Sequence, residues 1–242
     1  MRVALLSDLH GNEIALDAVL VDIARRGVDR IVCLGDTVAL GPRPREVLAR
    51  LRELRCPCIL GNHDAFMLDE QLIHSYNDAP IIGRAVEWCR NLLTDDELAF
   101  IRSFLPTLEI ELEGDVRLFL FHGTPQSHMQ DLLCTTPPGE LDAMLSGRAA
   151  SVMAGGHTHI QMLRQHKGTL IVNPGSVGMP FKEYVSGKAP IILAHAEWAC
   201  VEVIRGHVNV TLHRVELDRS ALRSAAQTSD NPIAVDLVAQ YS

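Results

Sequence analysis

The chain has 242 residues, of which 47% are hydrophobic and 21% are charged, and its formal net charge is −8. This composition is ordinary for a globular protein, and the acidic balance excludes a general electrostatic attraction to nucleic acid or anionic lipid. No apolar stretch approaches the roughly 18–20 residues of a membrane span, and Asp8 and His10 interrupt the N-terminal apolar run where a secretion signal would continue. We therefore expect one domain over residues 1–242, located in the cytoplasm.

The six cysteines are scattered along the sequence, and Cys56 and Cys58 form a Cys-Pro-Cys motif. Scattered cysteines without a regular framework predict free thiols in a reducing compartment. A metal site at Cys56 and Cys58 would need a second cysteine pair, so we do not predict one there.

The first 60 residues predict a β-α-β-α-β unit. Short apolar stretches at residues 2–7, 30–34 and 58–60 predict strands, and apolar residues at helical spacing predict helices over 12–26 and 45–55. This order of elements is typical of parallel strands with helices on the faces of the sheet.

Helical patterns alone occupy residues 65–105, which predict a small helical insert beside the sheet, and Thr94 and Glu97 have the spacing of a capping box. Strand patterns then return at 108–112, 116–121, 152–154, 161–165, 169–172, 191–197, 199–204 and 208–215, with a short helix at 139–145. Residues 218–242 predict a helical or flexible tail. The whole pattern predicts an α/β fold of two packed mixed sheets flanked by helices, a four-layer αββα sandwich.

Potential ligand side chains follow the ends of five predicted strands, in each case beside a glycine. They are Asp8, His10, Asp36, Asn62, His122, His157 and His159. In α/β sheets this edge is where ligands and catalytic groups collect. Residues i and i+2 of an extended chain point to the same side, so His157 and His159 are expected to face one site while Thr158 turns away.

The number and chemical type of these donors predict a metal centre. Two divalent ions about 3.5–4 Å apart need roughly seven nitrogen and oxygen ligands, with one carboxylate shared between them. Asp36 stands alone at its strand end, so we expect it to be the shared ligand. Imidazole together with carboxylate suits Mn, Fe, Zn, Co or Ni, whereas Ca and Mg prefer oxygen ligands alone. Each motif by itself is compatible with an ordinary turn, but the ordered set of five favours a metal site.

The ordered motifs resemble those of the calcineurin-like metallophosphoesterase superfamily. They are Asp8 and His10, Gly35-Asp36, Gly61-Asn62-His63-Asp64, His122-Gly123, and Gly156-His157-Thr158-His159. The resemblance spans about residues 1–215. It extends to the stretches VALGPRP and NPGSVGMP (residues 173–180), which look like features of small prokaryotic phosphodiesterase-like members. Residues 1–242 are expected to form a single metallophosphoesterase domain.

The resemblance implies a ligand set for each of two divalent transition-metal ions, with Mn as the ion best suited to activity. One ion would be held by Asp8, His10, Asp36 and His159, and the other by Asp36, Asn62, His122 and His157. It also implies hydrolysis of a phosphodiester or phosphomonoester through a hydroxide that bridges the two metals.

Proton transfer to the leaving oxygen is assigned to His63, which follows the predicted ligand Asn62 and has the family's general-acid position. Asp64 is expected to orient His63. Asn12 and Arg43 are weaker candidates for contacts with the substrate phosphate. Asn12 is equally suited to cap the first helix, and Arg43 also has the character of an ordinary exposed loop residue.

Three alternative functions stay open at this stage: a phosphoprotein phosphatase, a nuclease, and a non-catalytic scaffold of the same fold. The arginines of residues 43–55 favour a nuclease, but Glu46 and Glu53 and the acidic chain oppose it. A scaffold is expected to have lost ligands, and here the set is complete. The expected partner is a small phosphate-ester substrate; neither a membrane nor nucleic acid is expected, and homo-oligomerisation stays open.

Overall fold

The computed structural model describes residues 1–73, 80–184 and 188–241. Residues 74–79 of the predicted insert and residue 242 of the predicted tail lie outside the described residues. The strands are β1 (Arg2–Leu6), β2 (Arg30–Cys33), β3 (Leu108–Glu111), β4 (Arg117–Leu120), β5 (Val152–Ala154), β6 (Met162–His166), β7 (Thr169–Asn173), β8 (His195–Ile204) and β9 (His207–Glu216). The helices are α1 (Glu13–Arg26), α2 (Pro44–Leu54), α3 (Asn62–Leu68), α4 (Pro80–Leu92), α5 (Asp95–Arg102), α6 (Pro138–Met144), α7 (Arg219–Gln227) and α8 (Ala234–Gln240).

These strands form two mixed sheets within the described residues. One sheet has the order β2-β1-β8-β9, and the other has the order β3-β4-β5-β7-β6. The pairs β1–β2, β4–β5 and β5–β7 are parallel, and the remaining pairs are antiparallel. The carboxyl ends of β1, β2, β4 and β5 are therefore free to carry the loops of a shared site.

The alternation of side chains along β1 explains the layers. Val3 and Leu5 pack with residues of β4, β5 and β8 in the core between the two sheets. Ala4 and Leu6 point to the opposite face, where they pack against α1 and α2. A third cluster packs α6 onto the outer face of the second sheet. Because the two sheets share a core and helices pack on the outer face of each, the predicted four-layer αββα sandwich is confirmed.

Two predicted strand assignments differ from the structure. Residues 58–60 form only isolated bridges, from Cys58 to Cys33 and from Ile59 to Leu105, because α3 begins at Asn62. The Asp64 carboxylate accepts a hydrogen bond from Gly61 N at 3.1 Å and so starts that helix early. Residues 191–197 and 199–204 were expected as two strands, but β8 runs unbroken through the buried Trp198.

Helices of the insert and the tail pack into the same helical-side core as α1. Val86 and Cys89 of α4 and Ile101 of α5 are buried there, and so are Leu222 and Leu237 of α7 and α8. The capping box at α5 is present, with Thr94 N donating to the Glu97 carboxylate at 2.8 Å. None of the helices in the described part of the chain is long and apolar enough to cross a membrane.

Candidate metal centre

The loop after β1 places Asp8 and His10 at the carboxyl edge of the first sheet. Asp8 N donates to Gly35 O and His10 N donates to Asp36 O, each at 2.9 Å, so this loop continues beside the loop after β2. The backbone is not extended here, since φ is +54° at Asp8 and +45° at His10. The left-handed region is accessible to Asp and His more readily than to most residues.

The same backbone conformation recurs at three other predicted ligands. The φ angle is +53° at Asp36, +70° at His157 and +57° at His159. The expectation that i and i+2 side chains converge because the chain is extended was therefore wrong. The left-handed backbone at these residues sets the direction of their side chains. For a residue other than glycine this backbone conformation usually costs free energy, and such residues cluster at functional sites. Thr158 does turn away, and its hydroxyl accepts a hydrogen bond from Asn173 Nδ2 at 3.0 Å.

Glycine is required where the loop after residue 60 meets Asp36. A Cβ at Gly61 would lie 2.2 Å from Asp36 Oδ1. Because the glycine leaves this space open, α3 begins directly against the carboxylate, and His63 N donates to Asp36 Oδ1 at 2.8 Å. Asn62 and His63 thus occupy the first turn of a helix rather than a loop after a strand.

The predicted donors gather into two groups that share one carboxylate. The ligand atoms in each group lie within 4.8 Å of one another; the groups are Asp8, His10, Asp36 and His159, and Asp36, His122 and His157. Asn62 joins the second group, because its Oδ1 lies 3.1 Å from His122 Nε2. These seven side chains are all buried. The structure therefore brings together every residue that the sequence predicted as a ligand, and Asp36 is common to both groups.

The hydrogen bonds behind two of the histidines show that their ring nitrogens face the group as acceptors. His122 Nδ1 lies 2.7 Å from Leu34 O, and His159 Nδ1 lies 2.7 Å from Met179 O. A carbonyl oxygen can only accept, so Nδ1 carries a hydrogen in each ring, and the neutral form of the ring has its lone pair at Nε2.

The potential ligand atoms of these side chains thus lie close to one another. His159 Nε2 lies 3.0 Å from His10 Nε2 and 3.5 Å from Asp8 Oδ1, and His122 Nε2 lies 3.4 Å from Asp36 Oδ2. His10 Nδ1 and Asn62 Nδ2 are buried and lack a hydrogen-bond partner among the described residues. Converging lone pairs of carboxylate and imidazole fit divalent transition-metal ions, which would occupy the space between them.

The electrostatics of the cluster also favour a cation. Burial alone lowers the pKa of His122, but the carboxylates of Asp36 and Asp8 outweigh burial and raise it to about 9. Burial, and then the charge of His122, lower the pKa of His157 to about 3. Burial raises the pKa of Asp8, whereas His122 and His63 hold the pKa of Asp36 well below its usual value in spite of burial. The negative field that raises the pKa of His122 would equally attract a metal ion.

His63 and Asp64, the predicted catalytic pair, lie at the start of α3 and are buried. The His63 ring packs edge-on against His10, with ring centroids 4.9 Å apart, and burial lowers its pKa. The Asp64 carboxylate accepts hydrogen bonds from Gly61 N at 3.1 Å, from Thr37 N at 2.9 Å and from the Thr37 hydroxyl at 2.7 Å. Asp64 thereby ties α3 to the loop that carries Asp36. Burial and the neighbouring Asp36 raise the pKa of Asp64 to about 6.

Asn12 and Arg43, the weaker candidates, have other partners in this structure. Asn12 Oδ1 accepts from Ala15 N at 3.1 Å and caps α1, while its Nδ2 donates to Gly178 O at 3.0 Å. Arg43 Nη1 donates to Glu13 Oε2 at 2.8 Å, and its side chain is partly exposed. Both polar atoms of the Asn12 side chain are thus committed to holding loops together.

Sequence reasoning missed two residues near the second group. Asp131 Oδ1 lies 3.3 Å from His157 Nε2, and Tyr184 donates its hydroxyl hydrogen to Asp131 Oδ2 at 2.7 Å. That hydrogen bond raises the pKa of Tyr184 to about 12. Neither residue stands at a strand end or belongs to a spaced motif, so no signal in the sequence pointed to them.

A family model matches most of this chain. Residues 1–197 match the model of the calcineurin-like phosphoesterase superfamily domain. The chain is 32% identical over 193 residues to an uncharacterised protein of Methanocaldococcus jannaschii, covering 74% of this chain and 76% of the relative. It is 29% identical over 190 residues to phosphodiesterase YfcE of Escherichia coli, covering 74% of this chain and 81% of that protein.

Solved structures agree with this match. A metallophosphoesterase from Sphaerobacter thermophilus superposes with a TM-score of 0.75 at 26% identity, covering 100% of this chain and 98% of that one. A hypothetical protein from Pyrococcus horikoshii superposes with a TM-score of 0.81 at 19% identity, covering 98% and 97%, and this likeness concerns the fold alone.

Proposed function

Because this chain belongs to the calcineurin-like phosphoesterase superfamily, we propose that it hydrolyses a small phosphate ester with the help of two divalent transition-metal ions. One observation carries the proposal: buried carboxylate and imidazole acceptors converge in two groups that share Asp36. Burying these groups costs free energy, since each loses its hydrogen bonds to water, and bound cations would compensate for that loss.

Asp8, His10, Asp36 and His159 would hold one ion, and Asp36, Asn62, His122 and His157 would hold the other. When bound, the two ions supply Lewis acidity to the phosphoryl oxygens and lower the pKa of an attacking water. The protein holds these ligands at fixed positions, because Leu34 O and Met179 O orient two of the imidazoles. We propose Mn as the ion that best supports activity.

His63 is proposed to protonate the leaving oxygen. It stands at the start of α3, its backbone N–H bonded to the shared carboxylate of Asp36, and its ring lies beside His10. Burial lowers the pKa of His63, and an anionic phosphate ester placed beside the ring would favour its protonated form. Asp64 would act indirectly, by holding the loop of Asp36 through Thr37.

A phosphodiester is the substrate class that we propose first, on the basis of the relative named phosphodiesterase YfcE. Asn12 and Arg43 stay proposals as phosphate contacts, and Arg43 is the better placed of the two because its side chain is partly exposed.

We also propose a cytoplasmic location, which the buried free thiols of Cys33, Cys89 and Cys200 support.

Metal content and hydrolysis, measured together, test the proposed function. The purified protein is analysed by mass spectrometry for metal per chain, and assayed on bis(p-nitrophenyl) phosphate before and after chelation and after Mn²⁺ is added back. We expect close to two ions per chain, and activity that chelation abolishes and Mn²⁺ restores. A phosphomonoester and a phosphopeptide assayed alongside separate a phosphodiesterase from a phosphatase. Absence of metal uptake and of hydrolysis with any divalent ion would contradict the proposal.

A further inference from the structure

His157 differs from His122 and His159 in the partner behind its ring. His122 and His159 each place Nδ1 against a backbone carbonyl, which leaves Nε2 for the cluster. In His157 it is Nε2 that lies 3.3 Å from a carboxylate oxygen, that of Asp131. A carboxylate accepts hydrogen bonds, so Nε2 is the ring nitrogen of His157 that lies in position to donate to Asp131.

The Asp131 carboxylate is itself held from its other side. Tyr184 donates its hydroxyl hydrogen to Asp131 Oδ2 at 2.7 Å. The side chain of His157 is only 3% exposed, whereas that of Asp131 is 42% exposed. Asp131 therefore stands between the buried imidazole and solvent, and the phenol restrains a carboxylate that would otherwise be free to rotate.

We propose that Asp131 is a positioning residue for the second metal ion, that it fixes His157 with Nδ1 towards the metal, and that Tyr184 anchors Asp131. Ligand imidazoles commonly donate their second N–H to a carboxylate or a carbonyl, which sets the ring orientation. The backbone performs this role for His122 and His159, and a side-chain pair performs it for His157. This inference rests on the proposed function, because it requires that His157 binds a metal.

The size of the expected effect follows from the exposure of the pair. Loss of such a partner typically costs about 10-fold to 100-fold in metal affinity or activity. Water competes for a half-exposed carboxylate, so we expect Asp131→Ala to weaken one of the two Mn²⁺ binding events about 10-fold, at the lower end of that range. Tyr184→Phe keeps the carboxylate and should cost less.

Calorimetric Mn²⁺ titration of the full-length protein compares wild type, Asp131→Ala, Asp131→Asn and Asp142→Ala. The Asn side chain still offers an oxygen to His157 Nε2, so that variant should recover most of the affinity lost in the Ala variant. Asp142 is a matched control, because its carboxylate lies 2.8 Å from His166 Nε2 and is 43% exposed, but His166 belongs to neither ligand group. Asp142→Ala should bind as wild type does.

The ring tautomers give a direct readout. Protein labelled with ¹⁵N at histidine and loaded with Zn²⁺ is examined through the two-bond ¹H–¹⁵N couplings of the imidazoles. We expect His157 to carry its proton on Nε2, and His122 and His159 to carry theirs on Nδ1. In Asp131→Ala the Nε2–H signal of His157 should broaden through exchange with water.

The outcomes separate this inference from the proposed function. Wild-type protein that binds no divalent metal overturns both. Wild-type protein that binds two ions, with an Asp131→Ala variant of unchanged affinity or a His157 ring protonated on Nδ1, overturns the role of Asp131 and leaves the proposed function intact.

Discussion

The two ligand groups share Asp36, but the protein supports them differently. Main-chain contacts from residues 173–180 brace the first group: Gly178 N donates to Asp8 O at 3.0 Å, and Met179 O accepts from His159. In the second group a main-chain carbonyl, Leu34 O, likewise backs His122, but Asn62 stands on the first turn of a helix and His157 is backed by the half-exposed Asp131. Main-chain contacts to a ligand residue depend on the fold as a whole, whereas side-chain contacts depend on individual residues. We therefore expect the first group to bind its ion more tightly.

Replacing the shared carboxylate should weaken metal binding by both groups. Asp36→Asn keeps the size of the side chain but removes its negative charge, which both groups use. We expect metal content to fall at both positions and turnover to fall by more than about 10⁴-fold, beyond what the loss of one proton donor costs. Metal analysis and turnover of the purified variant measure this. Wild-type metal content with wild-type turnover would refute the shared-ligand assignment.

Replacing His63 should leave both groups loaded and affect turnover alone. In His63→Ala the seven proposed ligands remain, so metal content should be unchanged, while turnover falls by about 10²–10⁴-fold if His63 is the general acid. The loss should be smaller for p-nitrophenyl esters, whose leaving group needs no proton, than for alkyl esters. An equal loss across leaving groups would indicate that His63 positions the phosphate instead.

A substitution in the bracing loop should weaken the first group selectively. A Cβ at Gly178 would lie 2.0 Å from Leu9 O, so Gly178→Ala must push residues 173–180 away from the loop of Asp8. We expect the free energy of unfolding to fall by about 1–3 kcal/mol, the usual cost of overpacking, and the tighter of the two metal-binding events to weaken. Denaturant unfolding and calorimetry measure the two effects.

Gly83→Ala is the matched control for that substitution. Gly83 lies within α4, and a Cβ there meets nothing within 4 Å among the described residues. Ala is favoured over Gly in a helix interior, so this variant should be up to about 1 kcal/mol more stable and bind metal as wild type does. A Gly178→Ala variant that matches this control in both measurements would show that residues 173–180 do not brace the site.

Much of the fold and of the candidate site could be predicted because local patterns carry it. The short apolar stretch that contains Val3 and Leu5 predicts a strand, and Thr94 with Glu97 predicts the start of a helix. The ligand candidates were recognisable because each follows an apolar strand beside a glycine. The structure then places them together where the carboxyl ends of β1 and β2 in one sheet lie close to those of β4 and β5 in the other.

Two features of the site could not be predicted from local patterns. The early start of α3 depends on Asp64 and on the space that Gly61 leaves for Asp36, which lies 25 positions before Gly61 in the chain. The left-handed backbone at Asp8 and His159 depends on hydrogen bonds between loops distant in sequence. Short-range periodicity contains no information about such contacts, because it reports only which face of an element is apolar.

The amino-acid sequence by itself determined the layers of the fold and the donor atoms of the candidate metal centre, because apolar periodicity selects helices and strands and side-chain chemistry selects ligand types. Only the tertiary structure determined the orientation of each ligand side chain. Asp131 meets His157 across 26 residues and Tyr184 across 53, and no pattern in the sequence relates them. Ring orientation is set by whichever acceptor packs behind the imidazole, and that acceptor is chosen by long-range folding rather than by neighbouring residues.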